Sequence, residues 1–106
     1  METKNKDNLQ SVFVVLEDWK IDSGESGIFT SIFATFEGAL DYYEKLKKDY
    51  EIDYDTKERQ ANNEVYHFSE DINEELKCAN IIVSFEDSAD YYEIDITEKK
   101  VNEYLD

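Results

Sequence analysis

Runs of apolar residues, separated by polar turns, predict two strands in the first third of the chain. Residues 11–17 form a short β-branched segment whose apolar part is uninterrupted, a pattern typical of a central strand covered on both faces. Residues 18–27 are rich in turn-forming residues and end in the sequence Asp-Ser-Gly-Glu-Ser-Gly. Residues 28–34 then predict a second strand, which we expect to pair antiparallel with the first.

The hydrophobic period changes at Thr35 from that of a strand to that of a helix. Thr35 is placed to cap the first helical turn. Two acid-before-base pairs, Asp41 with Lys45 and Glu44 with Lys48, have the i,i+4 spacing that stabilises a helix. The apolar side chains at helical spacing are Phe36, Ala39, Leu40, Tyr43, Leu46 and Tyr50. The sequence therefore predicts one main helix that ends near residue 50.

The pattern is weaker in the segment that follows the helix. Residues 51–63 contain few apolar side chains and are predicted to form a loop or a ragged edge, while residues 64–69 predict a short strand. Residues 69–77 are compatible with two interpretations, a helical turn capped by Ser69 or a long turn between strands. The sequence leaves both open.

Strict alternation of apolar and polar residues predicts a hairpin near the end of the chain. Its first strand, residues 79–85, places three apolar side chains on one face: Ile81, Val83 and Phe85. The outward face of the second strand carries Tyr91, Glu93, Asp95 and Thr97. Residues 86–90 form a polar connection, and residues 97–105 predict a short terminal helix. Together the elements predict an α+β fold, a small antiparallel sheet of about four to five strands with one main helix packed on a face, in a ββαββ-like order.

Composition indicates a single folded domain. Leu, Ile, Val and Phe number 27 of 106 residues, above the roughly 20 % below which a highly charged chain stays unfolded. We expect a polar tail over residues 1–9 and one domain over residues 10–106. No apolar run approaches the roughly 20 residues that span a bilayer, the polar start lacks a signal sequence, and the lone Cys78 excludes an internal disulfide. These features predict a cytoplasmic protein.

The chain offers few residues for catalysis or metal binding. The single His67 and the single Cys78 admit a cysteine hydrolase as one hypothesis, with a buried thiol and an ordinary strand histidine as the alternative. One cysteine and one histidine cannot build a zinc site, and no phosphate-binding loop is present. We therefore predict no enzyme, no catalytic residue, no metal ion and no cofactor. The acids of residues 18–25 and 86–90 leave one alternative, a small accessory domain with a weak metal (calcium) or small-ligand site and mainly solubilising acids.

An excess of acidic residues is the strongest chemical signal. The chain has 27 acids against 11 bases, a formal charge of −16, and residues 54–106 hold −10 of it from 15 acids and 5 bases. Such a surface repels nucleic acid and anionic membranes, so neither is expected as a direct partner. Carboxylates on alternate residues of a rigid sheet instead approach the charge density of a phosphate backbone. This similarity predicts binding to a basic, nucleic-acid-binding surface of a protein.

The predicted partner-binding residues lie in two segments. Those of the hairpin are Glu86, Asp87, Asp90, Tyr91, Glu93 and Asp95. Those of the first turn are Asp18, Trp19, Asp22 and Glu25. Trp19 has a second interpretation as a lid over the core, and the hairpin acids have a second one as ordinary solvation that keeps the sheet soluble.

The layout Val12-Phe13-Val14-Val15, followed by residues 22–27 and by Phe33-Ala34-Thr35-Phe36-Glu37-Gly38-Ala39-Leu40, resembles that of short proteins of phages and mobile elements. In character the whole chain is similar to small, acidic, tyrosine-rich α+β proteins of the anti-CRISPR or anti-restriction type. The resemblance implies a non-enzymatic inhibitor of a bacterial defence nuclease such as a CRISPR effector, and within that group occlusion of the nuclease's DNA or guide-RNA site by a nucleic-acid mimic is one mechanism among several. It implies a location in the bacterial host cell and carries over no individual site residue.

Overall fold

The computed structural model describes residues 11–86 and 88–100. Its elements are β1 (Ser11–Lys20), β2 (Ser26–Phe33), α1 (Phe36–Asp53), α2 (Thr56–Ala61), β3 (Val65–Asn73), β4 (Cys78–Phe85) and β5 (Tyr91–Lys100). The strands form one five-stranded sheet in the order β2-β1-β5-β4-β3, and every neighbouring pair is antiparallel. The predicted α+β fold, with a small sheet and one main packed helix, is confirmed.

One face of the sheet packs on α1, and this interface is the core. The strands contribute buried side chains at alternate positions: Phe13, Val15, Ala79, Ile81, Val83, Phe85, Tyr92, Ile94 and Ile96. The helix contributes Phe36, Ala39, Tyr43 and Leu46. Full burial of one such large apolar side chain contributes about 1.5–3 kcal/mol, so this single layer holds most of the hydrophobic stabilisation. The alternation predicted for the hairpin is therefore confirmed.

The main helix begins where the sequence predicts and ends later. The Thr35 backbone is extended and its side-chain oxygen accepts a hydrogen bond from the Gly38 amide at 3.0 Å, which confirms the N-cap. The helix continues to Asp53, and the short α2 follows, so the predicted loop over residues 51–63 is wrong. The physical reason is that only Tyr54 and Thr56 anchor this segment in the core, and two buried residues make no recognisable helical period.

Three strand predictions also need correction. β1 extends to Lys20, so residues 18–20 are strand and not turn, and α1 covers only one face of β1, not both. Residues 69–73 belong to β3, and residues 74–77 form the turn to β4. Residues 97–100 pair with the start of β1 as part of β5 and are not helical, because ladder hydrogen bonds to a neighbouring strand outweigh a weak helical pattern. Residues 101–105 of that predicted helix lie outside the described residues.

The two edges of the sheet differ in their protection. β3 also exposes Tyr66, Phe68 and Ile72, but it carries charged residues and a register shift between Val65 and His67, features that discourage pairing with another chain. β2 carries no charged residue, and Ile28, Phe29 and Ile32 are exposed on it. Among the described residues, no helix is long and apolar enough to cross a membrane.

Candidate functional site

The face of the sheet opposite α1, here called the open face, carries acidic side chains on the central strand β5 and on its neighbour β1. Asp18 of β1 lies opposite Glu93 of β5, and Asp95 lies two residues further along β5 on the same face. We call these three residues the acidic strip. All three side chains are half-buried among their neighbours. The predicted outward placement of the β5 acids is therefore what the structure shows.

Neutral hydrogen-bond donors hold the two β5 carboxylates in place. The Asn80 side-chain amide donates to Glu93 Oε2 at 2.7 Å and to Asp95 Oδ1 at 3.2 Å. The Tyr91 hydroxyl donates to Glu93 Oε1 at 2.7 Å, and the Thr97 hydroxyl donates to Asp95 Oδ2 at 2.7 Å. Burial, followed by the hydrogen bond to Glu93, raises the pKa of Tyr91, so this phenol stays protonated as a donor.

These donors fix the carboxylates without cancelling their charge. Within residues 11–86 and 88–100, no lysine or arginine forms an ion pair with the acidic strip. Lys20 is the nearest base along the same face of β1, where its backbone lies opposite Tyr91 and its side chain is exposed. The two β5 carboxylates are thus preorganised by their donors, and Asp18 adds a third negative charge beside them on β1.

The structure joins the two predicted segments at one end of the sheet. The Asp22 amide donates to Asp90 Oδ1 at 2.8 Å, and the Ala89 amide donates to Asp22 Oδ1 at 3.0 Å. Asp90 also pairs with Arg59, whose Nη1 lies 2.9 Å from Asp90 Oδ2. The carboxylates of Asp22 and Asp90 therefore hold the two connections together, in addition to any role toward a partner.

The remaining predicted contact residues occupy separate places. Glu25 and Glu86 are exposed, and the Glu86 amide donates to the Glu64 carbonyl at 2.8 Å. Asp87 lies outside the described residues. Trp19 is half-buried on the side of the sheet that faces α1, and not on the open face, because successive residues of a strand point to opposite faces. Its indole packs against the edge of the core, as the lid interpretation expects.

Trp19 also lines a cavity that the sequence does not reveal. The cavity has a volume of about 610 Å³ and lies between the end of β1, the C-terminal half of α1 and the segment 54–59. Glu17 lines it with only 7 % of its surface exposed. The Tyr50 hydroxyl donates to Glu17 Oε1 at 2.9 Å, and the Tyr42 hydroxyl donates to Oε2 at 3.4 Å. The sequence does contain a signal for the burial of Glu17, because alternate residues of a strand point to the same face and Glu17 follows Phe13 and Val15 on the buried face of β1.

Arg59 is the other site residue that sequence reasoning passed over. Its guanidinium lies 3.9 Å from the centroid of the Phe85 ring and pairs with Asp90. It also donates to the Tyr54 carbonyl at 3.3 Å. Arg59 is the single arginine of the chain, and its ion pair with Asp90 connects α2 to the segment before β5 at the opening of the cavity.

The residues considered for catalysis do not come together. His67 pairs with Ser84 of β4 and Cys78 begins the same strand, so the two are separated by about 20 Å along the sheet. A Cys–His nucleophile pair is therefore excluded. In the described part of the chain, no three His, Cys, Asp or Glu side chains are arranged to hold a metal ion. Comparison with protein-family models, with curated proteins and with solved structures finds no match to this chain.

Proposed function

We propose that this protein is a non-enzymatic binding module whose acidic strip docks on a basic surface of a partner protein. The observation that carries the proposal is the acidic strip itself: three carboxylates on adjacent strands, of which Glu93 and Asp95 are held by neutral donors and none is paired with a base of the described chain. Charges that are fixed before binding lose little entropy in the complex, and complementary potentials accelerate encounter.

The spacing of these charges suits a surface that normally holds nucleic acid. Glu93 and Asp95 stand about 7 Å apart along β5, and Asp18 lies about 5 Å across the ladder from Glu93. Three carboxylates over about 7 Å of strand amount to roughly one charge per 2–3 Å, comparable to the one charge per about 1.7 Å of axis in duplex DNA, so a groove lined for phosphates also accepts this charge density. A nuclease of a bacterial defence system, such as a CRISPR effector, is the partner class that we propose. Tyr91 adds contact area at low entropic cost.

The test compares two variants with the same net charge. Glu93→Lys/Asp95→Lys reverses two strip carboxylates, whereas Glu74→Lys/Glu75→Lys makes the same change in the exposed β3–β4 turn. Each protein is immobilised and used to capture proteins from a bacterial lysate at low salt, with salt elution and mass spectrometry. We expect the wild type and the turn variant to capture the same salt-eluted basic proteins and the strip variant to lose them.

Other outcomes separate the parts of the proposal. Equal loss in both variants means that net charge alone drives capture, and retention in both means that the acidic strip is not the site. Binding that persists at high salt contradicts the ionic mechanism. Duplex DNA added to the lysate is expected to displace the captured proteins if their binding surface is a nucleic-acid site. Lys20→Glu, which adds an acid beside the strip, is expected to raise the salt concentration needed for elution.

A further inference from the structure

The cavity beside Trp19 has the size and the lining of a ligand site. Its volume of about 610 Å³ lies within the range of about 300–1,000 Å³ that is usual for small-molecule sites. Three aromatic residues line it: Trp19, Tyr50 and Tyr54. Tyr50 stacks on the buried Tyr92 with ring centroids 5.1 Å apart, so part of this lining is anchored in the core.

The lining of the cavity carries more negative than positive charge. Among the described residues that line it, the acids are Glu17, Asp49, Asp53, Asp55 and Asp90, and the one base is Arg59. Arg59 is already engaged by Asp90, so it does not neutralise the others. The cavity therefore combines aromatic side chains with an excess of negative charge.

Glu17 is the feature that points to a ligand. Glu17 as a residue is more than nine-tenths buried, and the hydrogen-bond partners of its carboxylate in the described chain are the neutral hydroxyls of Tyr42 and Tyr50. A buried charge is costly unless an opposite charge is supplied. No lysine or arginine of the described chain lies within ion-pair distance of Glu17, although the carboxylate borders an open cavity.

The same features select the charge and type of the ligand. An anion is repelled by the acids of the lining, and a neutral ligand leaves Glu17 buried without an opposite charge. A bare metal ion does not fit, because no three suitable side chains of the described residues are arranged to hold one. An organic cation satisfies both parts of the lining, since aromatic faces attract ammonium and guanidinium groups and a carboxylate pairs with them.

We propose that this cavity binds an organic cation, an alkylammonium or guanidinium group, with Glu17 as its counter-ion and Trp19, Tyr50 and Tyr54 as its aromatic lining. The cation belongs either to a free amine or to a lysine or arginine side chain of a protein. The site lies on the α1 side of the sheet, away from the acidic strip, and it does not depend on the function proposed for the strip.

The chain supplies its own reporter for the test. Trp19 is the single tryptophan, so its fluorescence follows occupancy of the cavity, and calorimetry measures the affinity independently. The probes are spermidine, N-acetyl-arginine amide and N-acetyl-lysine amide, with N-acetyl-citrulline amide as the uncharged match of the arginine probe. We expect saturable binding of the cations, with Kd between micromolar and millimolar, and none of citrulline. Tighter binding of spermidine indicates a free amine, and tighter binding of the amino-acid amides indicates a protein side chain.

Variants identify the site. Glu17→Gln keeps an acceptor for the Tyr50 hydroxyl and is expected to weaken cation binding by at least about tenfold, the loss typical of a charge-assisted hydrogen bond. Asp41→Asn makes the same charge change on the exposed part of α1 and is expected to leave binding unchanged. If Glu17→Gln does not fold, as judged by circular dichroism, Asp53→Asn at the exposed rim is expected to weaken binding about threefold.

Three results overturn the proposal: no saturable change with any cation, equal binding of citrulline and arginine amides, or equal affinities in the cavity variants and in Asp41→Asn. Each is distinguishable from failure of the strip proposal, which is measured with different variants and a protein partner. Loss of cation binding in the Glu93→Lys/Asp95→Lys variant also contradicts a separate site.

Discussion

Replacing Arg59 by alanine is expected to destabilise the domain far more than loss of a surface charge. The guanidinium pairs with Asp90 at 2.9 Å, stacks 3.9 Å from the Phe85 centroid and has a side chain only 20 % exposed. Breaking a fully buried ion pair costs about 3–5 kcal/mol, which partial exposure reduces to about 2 kcal/mol, and the cation–π contact adds about 0.5–1 kcal/mol. We expect Arg59→Ala to lower the free energy of unfolding by about 3 kcal/mol.

Companion variants divide this loss into its parts. Asp90→Asn keeps a neutral acceptor for the Asp22 amide and is expected to cost about 1–2 kcal/mol. Arg59→Lys keeps the charge but not the planar contact with Phe85, and is expected to lie between wild type and Arg59→Ala. The double variant Arg59→Ala/Asp90→Asn is expected to cost less than the sum of the two single changes by about 1 kcal/mol or more.

Urea unfolding followed by circular dichroism measures these differences, provided that the slopes with denaturant stay equal. A loss below about 0.5 kcal/mol for Arg59→Ala places Arg59 among ordinary surface residues and refutes the reasoning. Strictly additive single and double variants refute the coupling between Arg59 and Asp90. The stability of Asp90→Asn also distinguishes a structural role of Asp90 from a role in partner binding alone, because neutralising a residue that only contacts a partner does not change the free energy of unfolding.

Three further predictions follow from particular contacts. Gly27→Ala places a Cβ 2.7 Å from the Trp19 indole, so we expect a changed tryptophan emission and a loss of about 1–3 kcal/mol. Gly24→Ala meets no atom within 4 Å and leaves the emission unchanged, although its φ of +105° makes that variant strained as well. Burial raises the pKa of Tyr54 to about 12 and also raises that of Tyr43, above the roughly 10 of an unfolded tyrosine. The stability linked to these two phenols is fully present below about pH 10 and is lost as pH rises through their folded pKa values, by about 1.4 kcal/mol per pH unit for each. Urea unfolding at a series of pH values measures this slope, and we expect Tyr43→Phe to reduce it. Ile32→Lys puts a charge on the uncharged β2 edge, and we expect it to scatter less light than the wild type at high salt without a lower melting temperature; equal scattering by the two proteins contradicts pairing between copies through this edge.

The parts of the fold that the sequence predicts are those set by local periodicity. The hairpin strands alternate strictly, and Thr35 begins a helix with a regular apolar face, so each side chain has one favourable environment. The segment after residue 53 was missed because its core contacts are the phenol of Tyr54 and the hydroxyl of Thr56, which donate to or accept from distant groups. Such contacts leave no period in the sequence.

In the candidate site, too, the features set by local periodicity could be predicted and those set by long-range contacts could not. The outward direction of Glu93 and Asp95 follows from alternation, whereas the position of Trp19 depended on where β1 ends. Interpreting residues 18–20 as a turn placed Trp19 beside Asp18, but in a strand the two side chains lie on opposite faces. The cavity is lined by three segments that meet only in the folded chain, so no local sequence pattern predicts it.

Mapping the bound partner on the backbone amides tests the central claim most directly. The protein is labelled with ¹⁵N, and its amide signals are recorded with and without the salt-eluted partner, at low and at high salt. We predict that the signals perturbed at low salt belong to the open face of β1 and β5, around Asp18, Glu93 and Asp95, and that they return to their free positions at high salt. Perturbations confined to α1 or to β2, or perturbations that persist at high salt, contradict the acidic strip as the binding surface.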